Sequence, residues 1–326
     1  MTMRCRVRPP LWGSLVSILV LLPSLTTAAP PIVLTEPAAR SATATASPTT
    51  ATPTPTKVVD PMETLKYFHE PGRDDYLGHY DVRYFHGRVT EEERGETLKH
   101  MMRAYLLAFN EMGLETWIAH GTLLGWWWNG QVGWESPRTG DAEAKAWQIL
   151  PWDWDIDTQV SGATLLYMAD NLNRTRYEYV SEDGEFTRAY LLDVNPHARQ
   201  RERGDGANII DARWIDTHNG LYVDITGLSE LEPDREPGVV SCKNFHKYRT
   251  TDLYPMRASI FENVPVRIPF AYNKILIEEY ETTALVLNEF EGHRWDTQQR
   301  LWYRIPKDMK AEKEDKPDEK PGQNYA

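Results

Sequence analysis

Cysteine is scarce in this chain, which removes one common means of stabilising a secreted domain. Only two cysteines occur among 326 residues, Cys5 and Cys242. Cys5 lies in an amino-terminal segment with the features of a secretory signal, so a processed chain would keep Cys242 alone. A single cysteine can form neither an intramolecular disulfide nor a cysteine-based zinc site. We therefore expect Cys242 to be a small buried residue.

Positive charge is also in short supply. The chain has 36 lysines and arginines against 48 aspartates and glutamates, which gives a net charge of −12. Nucleic acid is an unsuitable partner for such a chain, because phosphate backbones are bound mainly through lysine and arginine. An acidic protein that binds phosphates would need a metal ion and a few local bases instead.

Long apolar runs are missing beyond the amino terminus. There, three arginines precede an apolar run over residues 11–25 and small residues at 26–29, which is typical of a secretory signal. Extended to Ala29, the run approaches the ~20 residues that a membrane span needs, so an uncleaved anchor stays open. We predict a signal peptide or signal anchor at 1–29, and membrane contact through this segment only. The location is then the secretory pathway, as a type II anchored protein of the Golgi lumen or as a secreted one.

Two segments of biased composition flank one body. Residues 30–58 are rich in Ser, Thr and Pro and predict an extended stalk. Residues 307–326 are rich in Lys, Glu, Asp and Pro and predict a charged, disordered tail. Residues 59–306 between them show neither an internal repeat nor a second linker, so we predict a single domain.

Helical and strand patterns both occur within this body. Thr90 followed by three glutamates matches a capping box, and the helix that it opens is expected to end at Gly113. Residues 116–119 predict a short buried strand, whereas 164–172 and 272–280 predict helices. The mixture predicts an α/β or α+β fold.

A β-hairpin is the clearest local prediction. Asn219 and Gly220 separate two alternating runs, 213–217 and 221–226, and an Asn-Gly pair in this setting is a strong hairpin signal. The period-2 alternation places Asp224 on the face of the second strand opposite to its aliphatic residues.

Three carboxylates follow one another at every second position in the run Pro151 to Asp157. In an extended strand Asp153, Asp155 and Asp157 would share one face, and Trp154 and Ile156 would pack into the core from the other. Like charges on one face repel unless a cation lies among them. An oxygen-binding ion such as Mg²⁺ or Mn²⁺ is the natural occupant.

Two further pieces complete a candidate site. Gly121 and Thr122 open a predicted helix, whose amino terminus favours an anion such as phosphate. Asp224 offers a third carboxylate from an adjacent strand to the pair Asp155 and Asp157. Carboxylates that hold a divalent ion beside a phosphate-binding helix are a layout for phosphoryl or nucleotidyl transfer.

A basic group lies downstream in the otherwise acidic chain. Lys243, His246, Lys247 and Arg249 fall within seven residues, and they either grip the phosphates of a donor or form a solvated loop face. His120 leaves a similar choice between a phosphate contact or base and a plain hydrogen-bonding role.

The motifs carry a family resemblance. Residues 121–125 (GTLLG) followed by 151–157 (PWDWDID) resemble the LicD family, which includes LicD, fukutin and fukutin-related protein, a branch of the nucleotidyltransferase superfamily. The resemblance covers about residues 91–302, and around Asp224 it is to fungal members linked to mannosylphosphorylation of glycans. It implies a nucleotidyltransferase-like mixed β-sheet flanked by helices. The activity implied is transfer of a phosphorylated group, such as sugar-1-phosphate, phosphocholine or ribitol phosphate, from a nucleotide diphosphate donor to a glycan.

The resemblance also implies roles for single residues. Asp155 and Asp157 match the metal-binding pair of the family, with Asp224 as the expected third ligand, and all three are the predicted catalytic and metal-binding residues. The substrate-binding positions are predicted to be Gly121, Thr122, Asp153, Lys243, His246, Lys247 and Arg249.

The chain departs from the family pattern in one respect. About 25 residues separate Gly125 from Pro151, whereas the two motifs usually lie close together. The inserted residues 126–150 show no clear period and include five tryptophans, so we expect them to be mostly loop and to form a lid or an acceptor platform.

Three functions are consistent with these patterns. The first is a metal-dependent phosphotransferase that transfers mannose phosphate from GDP-mannose to a glycan acceptor. The second is a non-catalytic regulator or glycan-binding partner of a separate mannosylphosphate transferase. The third is a metal-dependent glycosyltransferase, because such enzymes also bind nucleotide sugars through an Asp-x-Asp pair.

Overall fold

The structure is a computed structural model that describes residues 66–69, 76–130, 148–201 and 208–306, together with the backbone of 33–35. The predicted signal or anchor, the charged tail, most of the predicted stalk and residues 131–147 of the insertion lie outside this part of the chain. Within the described residues, no helix combines the length and the apolar character that a bilayer span requires.

A mixed β-sheet forms the centre of the fold. Its strands are β1 (Val33–Thr35), β2 (Thr116–Ile118), β3 (Ile156–Ser161), β4 (Thr175–Val180), β5 (Thr187–Val194), β6 (Ala212–Asp216) and β7 (Tyr222–Leu228). They lie in the order β1-β4-β5-β6-β7-β3-β2. The pair β3 and β7 is parallel and the other neighbours are antiparallel. The predicted mixed α/β architecture is confirmed at this level.

Helices and small sheets complete the described chain. The helices are α1 (Glu91–Glu111), α2 (His120–Gly130), α3 (Gly162–Asn171), α4 (Thr250–Leu253) and α5 (Tyr272–Tyr280). The small sheets pair β8 (Val239–Ser241) with β9 (Lys247–Arg249), and β10 (Arg257–Phe261) with β11 (Val264–Ile268). A third contains β12 (Glu289–Phe290), β13 (His293–Asp296) and β14 (Leu301–Arg304).

The first helix begins and ends where its sequence signals predict. The Thr90 side chain accepts a hydrogen bond from the backbone N–H of Glu93 at 3.1 Å, as in an N-cap. Gly113 has φ +66°, which glycine adopts without a steric penalty. The core face of α1 carries residues that are almost fully buried, namely Leu98, Met101, Met102, Tyr105 and Phe109.

The hairpin of β6 and β7 is also confirmed. Gly220 has a positive φ of 86°, and the two strands pair with Ile215 opposite Tyr222. Every residue of β7 is buried, because this strand lies inside the sheet and both of its faces are covered. The polar side chains of β7, including Asp224, are therefore held in the interior.

Two predictions of local structure need correction. The strand β3 begins at Ile156, not at Pro151, because the chain turns at Pro151 and the N–H of Asp153 donates to the carbonyl of Leu150 at 3.0 Å. The helix α2 extends to Gly130, where loop was predicted. Its tryptophans provide the reason, since Trp126 is nearly buried and donates from Nε1 to Ser259 Oγ at 2.9 Å.

Candidate functional site

Two of the predicted carboxylates lie side by side on the parallel pair of strands. Asp157 of β3 is the direct register partner of Asp224 of β7. Asp224 is only 6% exposed, whereas Asp157 is half-buried. The expectation that Asp224 lies on the neighbouring strand is thus confirmed.

The other two aspartates approach this pair from the segment before β3. Burial raises the pKa of Asp157 to about 7, and the charge of Asp155 contributes. Burial and the charges of Asp155 and Asp157 also raise the pKa of Asp153 well above its ordinary value. The carboxylates are close enough to destabilise one another's ionised forms, although Asp153 and Asp155 are not part of the strand. A divalent cation that binds oxygen would relieve this repulsion.

An arginine that the motifs do not include is the internal counter-charge of the site. Arg213 of β6 is the register partner of Asp224, and its Nε donates to Asp224 Oδ1 at 2.7 Å. The Arg213 side chain is 1% exposed. Burial raises the pKa of Asp155, and the positive charge of Arg213 partly offsets this rise. The Asn219-Gly220 signal alone could not have predicted this pair, since a two-residue turn there would place position 215 opposite position 224. The loop spans residues 217–220 instead, and this register places Arg213 opposite Asp224.

The start of α2 is fastened directly to the acidic strand. The Thr122 hydroxyl oxygen accepts a hydrogen bond from the N–H of Asp157 at 2.9 Å. The N–H of Ala119 donates to the carbonyl of Asp157 at 3.1 Å. Thr122 is 3% exposed, so it holds α2 against β3 and fixes where the helix amino terminus lies.

The two glycines of the GTLLG run have different neighbours. A methyl group placed on Gly121 would lie 3.6 Å from Asp153 Oδ2, so the helix start and the acidic segment meet at this point. A methyl group placed on Gly125 would lie 2.6 Å from the carbonyl oxygen of Gln148. Gly125 is therefore needed for close packing of the chain that returns from the insertion, and Gly121 adjoins the predicted site.

A second polar cluster lies next to the aspartates. His120 Nδ1 is 2.9 Å from Glu279 Oε2, and the Tyr248 hydroxyl donates to Glu279 Oε1 at 2.7 Å. The rings of His120 and His246 have centroids 4.2 Å apart. Burial by itself would lower the pKa of His120 and raise that of Glu279. The hydrogen bond between these two side chains outweighs burial, so the pKa of His120 is raised and that of Glu279 is lowered. The sequence motifs gave no signal for Glu279, because α5 reads as an ordinary amphipathic helix.

The distances between potential metal ligands differ between the aspartate cluster and the His120–Glu279 cluster. In the described chain, one group of three such side chains brings a ligand atom of each within 4.8 Å of the others, namely His120, His246 and Glu279. Asp155, Asp157 and Asp224 do not form a group by this measure within the same residues. Arg213 already contacts one oxygen of Asp224. The metal-binding role of the three aspartates stays a prediction.

The predicted basic group does not form one cationic surface. Lys243 is 3% exposed and its Nζ lies 2.9 Å from Asp211 Oδ1, so its charge is neutralised in the interior. Lys247 points outward and pairs with Glu236 at 2.6 Å, and Arg249 is exposed on the same strand. The buried ion pair gives Lys243 a structural role, whereas donor binding by the other three predicted residues stays a prediction.

Aromatic side chains pack together around Trp152, the residue before Asp153. Trp152 makes edge-on contacts with Phe290 and Trp302, at centroid distances of 5.3 and 5.0 Å. Trp128 of α2 packs against Trp302 at 5.1 Å and against Trp295 at 5.0 Å. The tryptophans at the start of the insertion thus belong to α2 and its contacts with the last sheet, while Trp134 and Trp147 lie outside the described residues.

Comparison with known proteins gives a distant and partial similarity. No family model matches the chain. It is 31% identical over 184 residues to mannosyltransferase regulator 4 of Saccharomyces cerevisiae, which is 54% of this chain and 14% of the yeast protein. It is also 31% identical over 155 residues to mannosyltransferase regulator 14 of the same yeast, which is 46% of this chain and 14% of that protein. The chain therefore spans about a seventh of the length of either relative, and both relatives are named as regulators of mannosyltransferases.

Proposed function

We propose that this chain is a metal-dependent phosphotransferase of the secretory pathway that transfers a sugar-1-phosphate, mannose phosphate from GDP-mannose, to a glycan. The observation that carries the proposal is the pairing of Asp157 with Asp224 on adjacent parallel strands, with the start of α2 fastened to the same strand. The similarity to two yeast mannosyltransferase regulators supports the mannose context. A LicD-type nucleotidyltransferase domain is the fold that this proposal assumes.

The donor set fits a hard divalent ion. Asp155, Asp157 and Asp224 offer oxygen atoms, which Mg²⁺ and Mn²⁺ prefer. Burial together with neighbouring negative charge raises the pKa of Asp157, and a cation among these carboxylates would favour their ionised forms. When bound, the ion would supply the positive charge that neutralises a diphosphate.

Other protein groups of the site would position the reactants. Arg213 keeps one oxygen of Asp224 fixed and favours its ionised form. The amino terminus of α2, at Gly121 and Thr122, places its partial positive charge beside the acidic segment, where the phosphates of the donor would lie. The hydroxyl group of an acceptor sugar would then attack the β-phosphorus of GDP-mannose directly, so no nucleophilic side chain is needed. The bond from this phosphorus to the bridging oxygen breaks, GMP leaves with that oxygen, and the hydroxyl proton is released.

A second candidate function follows from the names of the relatives. Both are mannosyltransferase regulators, which favours a non-catalytic chain that binds a donor, a glycan or a separate transferase. The cluster of ionisable aspartates argues against a chain that binds only a glycan or a transferase, since a docking surface has no physical need for buried carboxylates that repel one another. A metal-dependent glycosyltransferase remains the third candidate from the Asp-x-Asp pattern.

The nucleotide that is released distinguishes these functions. The purified chain is incubated with labelled GDP-mannose, Mn²⁺ and a mannan acceptor. Phosphosugar transfer releases GMP, whereas glycosyl transfer releases GDP. We expect GMP from the wild type and from Asp234→Asn, a change at an exposed surface carboxylate, and none from Asp157→Asn.

Other outcomes overturn the proposal. Release of GDP would identify a glycosyltransferase. No turnover with any nucleotide sugar, together with stable binding to a mannosyltransferase, would identify a regulator. Full activity of a folded Asp157→Asn protein would exclude the proposed metal role.

A further inference from the structure

Three separate elements bring two imidazoles and one carboxylate together beside the aspartates. His120 begins α2, His246 lies in the turn between β8 and β9, and Glu279 lies near the end of α5. All three side chains are half-buried, and one ligand atom of each lies within 4.8 Å of the others. These residues are far apart in the sequence, so the fold assembles the group.

We propose that His120, His246 and Glu279 form a second cation site, which binds a divalent transition-metal ion of the zinc type. Two imidazole nitrogens and one carboxylate oxygen are a donor set that Zn²⁺ binds with an open fourth position. The aspartate cluster offers oxygen alone, which suits Mg²⁺ or Mn²⁺. The two sites would therefore select different ions, and this proposal does not depend on the transferase activity.

The hydrogen bonds of Gln159 indicate which nitrogen of His120 carries the ring proton when no ion is bound. Gln159 Oε1 accepts from Trp117 Nε1 at 3.1 Å, so its amide group points Nε2 towards His120 Nε2, which is 3.4 Å away. An amide N–H donates, so His120 Nε2 accepts and the ring proton belongs on Nδ1. That proton lies between His120 Nδ1 and Glu279 Oε2, which are 2.9 Å apart.

A metal ion can take the place of this shared proton if the ring proton moves to Nε2, because a neutral imidazole ligand keeps its proton on the other nitrogen. Gln159 would then have to turn its Oε1 towards Nε2–H and give up its contact with Trp117. In a tetrahedral zinc site the bond lengths put a nitrogen and an oxygen ligand roughly 3.3 Å apart. The two atoms of His120 and Glu279 would have to separate by about 0.4 Å from their present distance. A movement of this size is within the reach of the Glu279 side chain on α5.

Neighbouring groups orient the proposed ligands. The Tyr248 hydroxyl donates to the other carboxylate oxygen of Glu279 at 2.7 Å. The buried Cys242 Sγ lies 3.4 Å from His246 Nδ1 and so contacts one nitrogen of that ring. Metal-binding histidines and carboxylates characteristically have such outer partners, which fix the ring and the carboxylate in place. A simple ion pair would need neither His246 nor its sulfur neighbour.

Binding of an ion here would join three elements that are separate in the sequence. It would link the start of α2, the β8–β9 turn and α5, and the first of these is fastened to Asp157 through Thr122. The second site would therefore stabilise the framework on which the aspartates are held. We expect the midpoint temperature of unfolding to rise when Zn²⁺ is added, because a ligand that binds only the folded state stabilises it.

The test is Co²⁺ and Zn²⁺ binding to the full-length chain after removal of metals with a chelator. Co²⁺ in a four- or five-coordinate site has visible absorption bands, which report occupancy directly. The informative variants are His246→Ala and Glu279→Gln. The matched controls are His218→Ala, an exposed histidine in the β6–β7 hairpin, and Asp157→Asn, which alters the aspartate cluster.

We expect one equivalent of Co²⁺ with these intense bands in the wild type, displaced by Zn²⁺, and both controls should keep the bands unchanged. His246→Ala and Glu279→Gln should weaken binding by about 100-fold or more, because loss of outer partners alone costs about 10–100-fold. The proposal is overturned if the wild type shows no such bands or if His246→Ala binds as tightly as the wild type. It is also overturned if Asp157→Asn abolishes binding while Glu279→Gln does not, since the ion would then lie at the aspartates.

Discussion

Replacement of Arg213 by methionine tests the electrostatic design of the site. The change removes a guanidinium group that contacts Asp224 Oδ1 at 2.7 Å and donates from Nη2 to the carbonyl of His69 at 2.8 Å. The same group lies over the ring of Tyr222, 3.6 Å from its centroid. Methionine preserves much of the apolar contact and leaves Asp224 buried without its counter-charge.

The expected loss of stability is large. The exposed fractions of the two side chains are 1% for Arg213 and 8% for Asp224, so solvent screens the pair very little. Removal of one partner from such a pair typically costs about 3–5 kcal/mol, because the remaining charge stays buried. By contrast, Arg235→Met breaks a pair with Glu232 whose side chains are 79% and 48% exposed, and it should change the free energy of unfolding by less than about 0.5 kcal/mol.

A double-mutant cycle separates the charge effect from lost packing. Arg213→Met combined with Asp224→Leu removes both charges, and an apolar pair of similar volume is expected to recover most of the stability. The coupling energy should be about 2–3 kcal/mol. Urea unfolding followed by tryptophan fluorescence, in the presence of a chelator, measures all four proteins.

Two results would refute the reasoning. A cost below about 1 kcal/mol for Arg213→Met would mean that Asp224 is neutral or hydrated in the folded chain. A double variant as unstable as the single one would mean that packing, not charge, sets the loss. Addition of Mg²⁺ gives a further check, since an ion held by Asp224 should reduce the cost of Arg213→Met.

Two other changes test the framework of the site, and a third tests a buried histidine of α1. Gly125→Ala places a methyl group 2.6 Å from the backbone oxygen of Gln148 and should cost about 1–3 kcal/mol in urea unfolding, because the carbonyl cannot move aside cheaply; wild-type stability would contradict the close approach. Thr122→Val leaves the N–H of Asp157 without its acceptor and should cost about 1–3 kcal/mol, while Thr122→Ser, which keeps the hydroxyl, should cost less. Burial lowers the pKa of His100 from 6.5 to about 4. Between pH 6.5 and pH 4, His100 is therefore protonated in the unfolded chain but neutral in the folded chain. The His100 contribution is therefore complete above pH 6.5 and falls by about 3 kcal/mol as the pH drops to 4. Urea titrations across this range should show that loss in the wild type and a flatter profile in His100→Gln.

Local sequence signals were sufficient to predict the elements that begin or end at a cap, a glycine or a turn. Thr90 and Gly113 delimit α1 because a cap and a left-handed glycine act within a few residues. The Asn219-Gly220 signal predicts the hairpin of β6 and β7 for the same reason, although the loop spans residues 217–220 and sets a different register from a two-residue turn. Asp224 was therefore placed correctly on the second strand of the hairpin, whereas the parallel pairing of that strand with β3 is a long-range feature of the fold.

Long-range packing decided the elements that the sequence did not predict. The loop expected after Gly125 is helical as far as Gly130, because its tryptophans find partners in β10 and in the last sheet. Lys243 was expected to face a ligand, and it is buried against Asp211 instead. No local pattern distinguishes a lysine of a solvated loop from one with a carboxylate partner 32 residues away.

The same reasoning explains why the metal-ligating group was not found from the sequence. His120 and His246 were noticed singly, but their meeting depends on where the β8–β9 turn and α5 lie against α2. Glu279 completes the group from a helix that has no distinguishing motif.

The balance of charge at the site argues for a cation in every proposed function. Asp153, Asp155, Asp157 and Asp224 lie close together, and burial raises the pKa of each. One arginine, Arg213, pairs directly with the last of them and cannot neutralise four carboxylates. Such a concentration of buried carboxylates lowers the stability of the folded chain. Groups that repel one another in this way are typical of sites where a bound ligand offsets the repulsion. A regulator that binds a nucleotide sugar and a transferase that consumes one would both need the ion, so metal binding alone does not separate them, whereas the released nucleotide does.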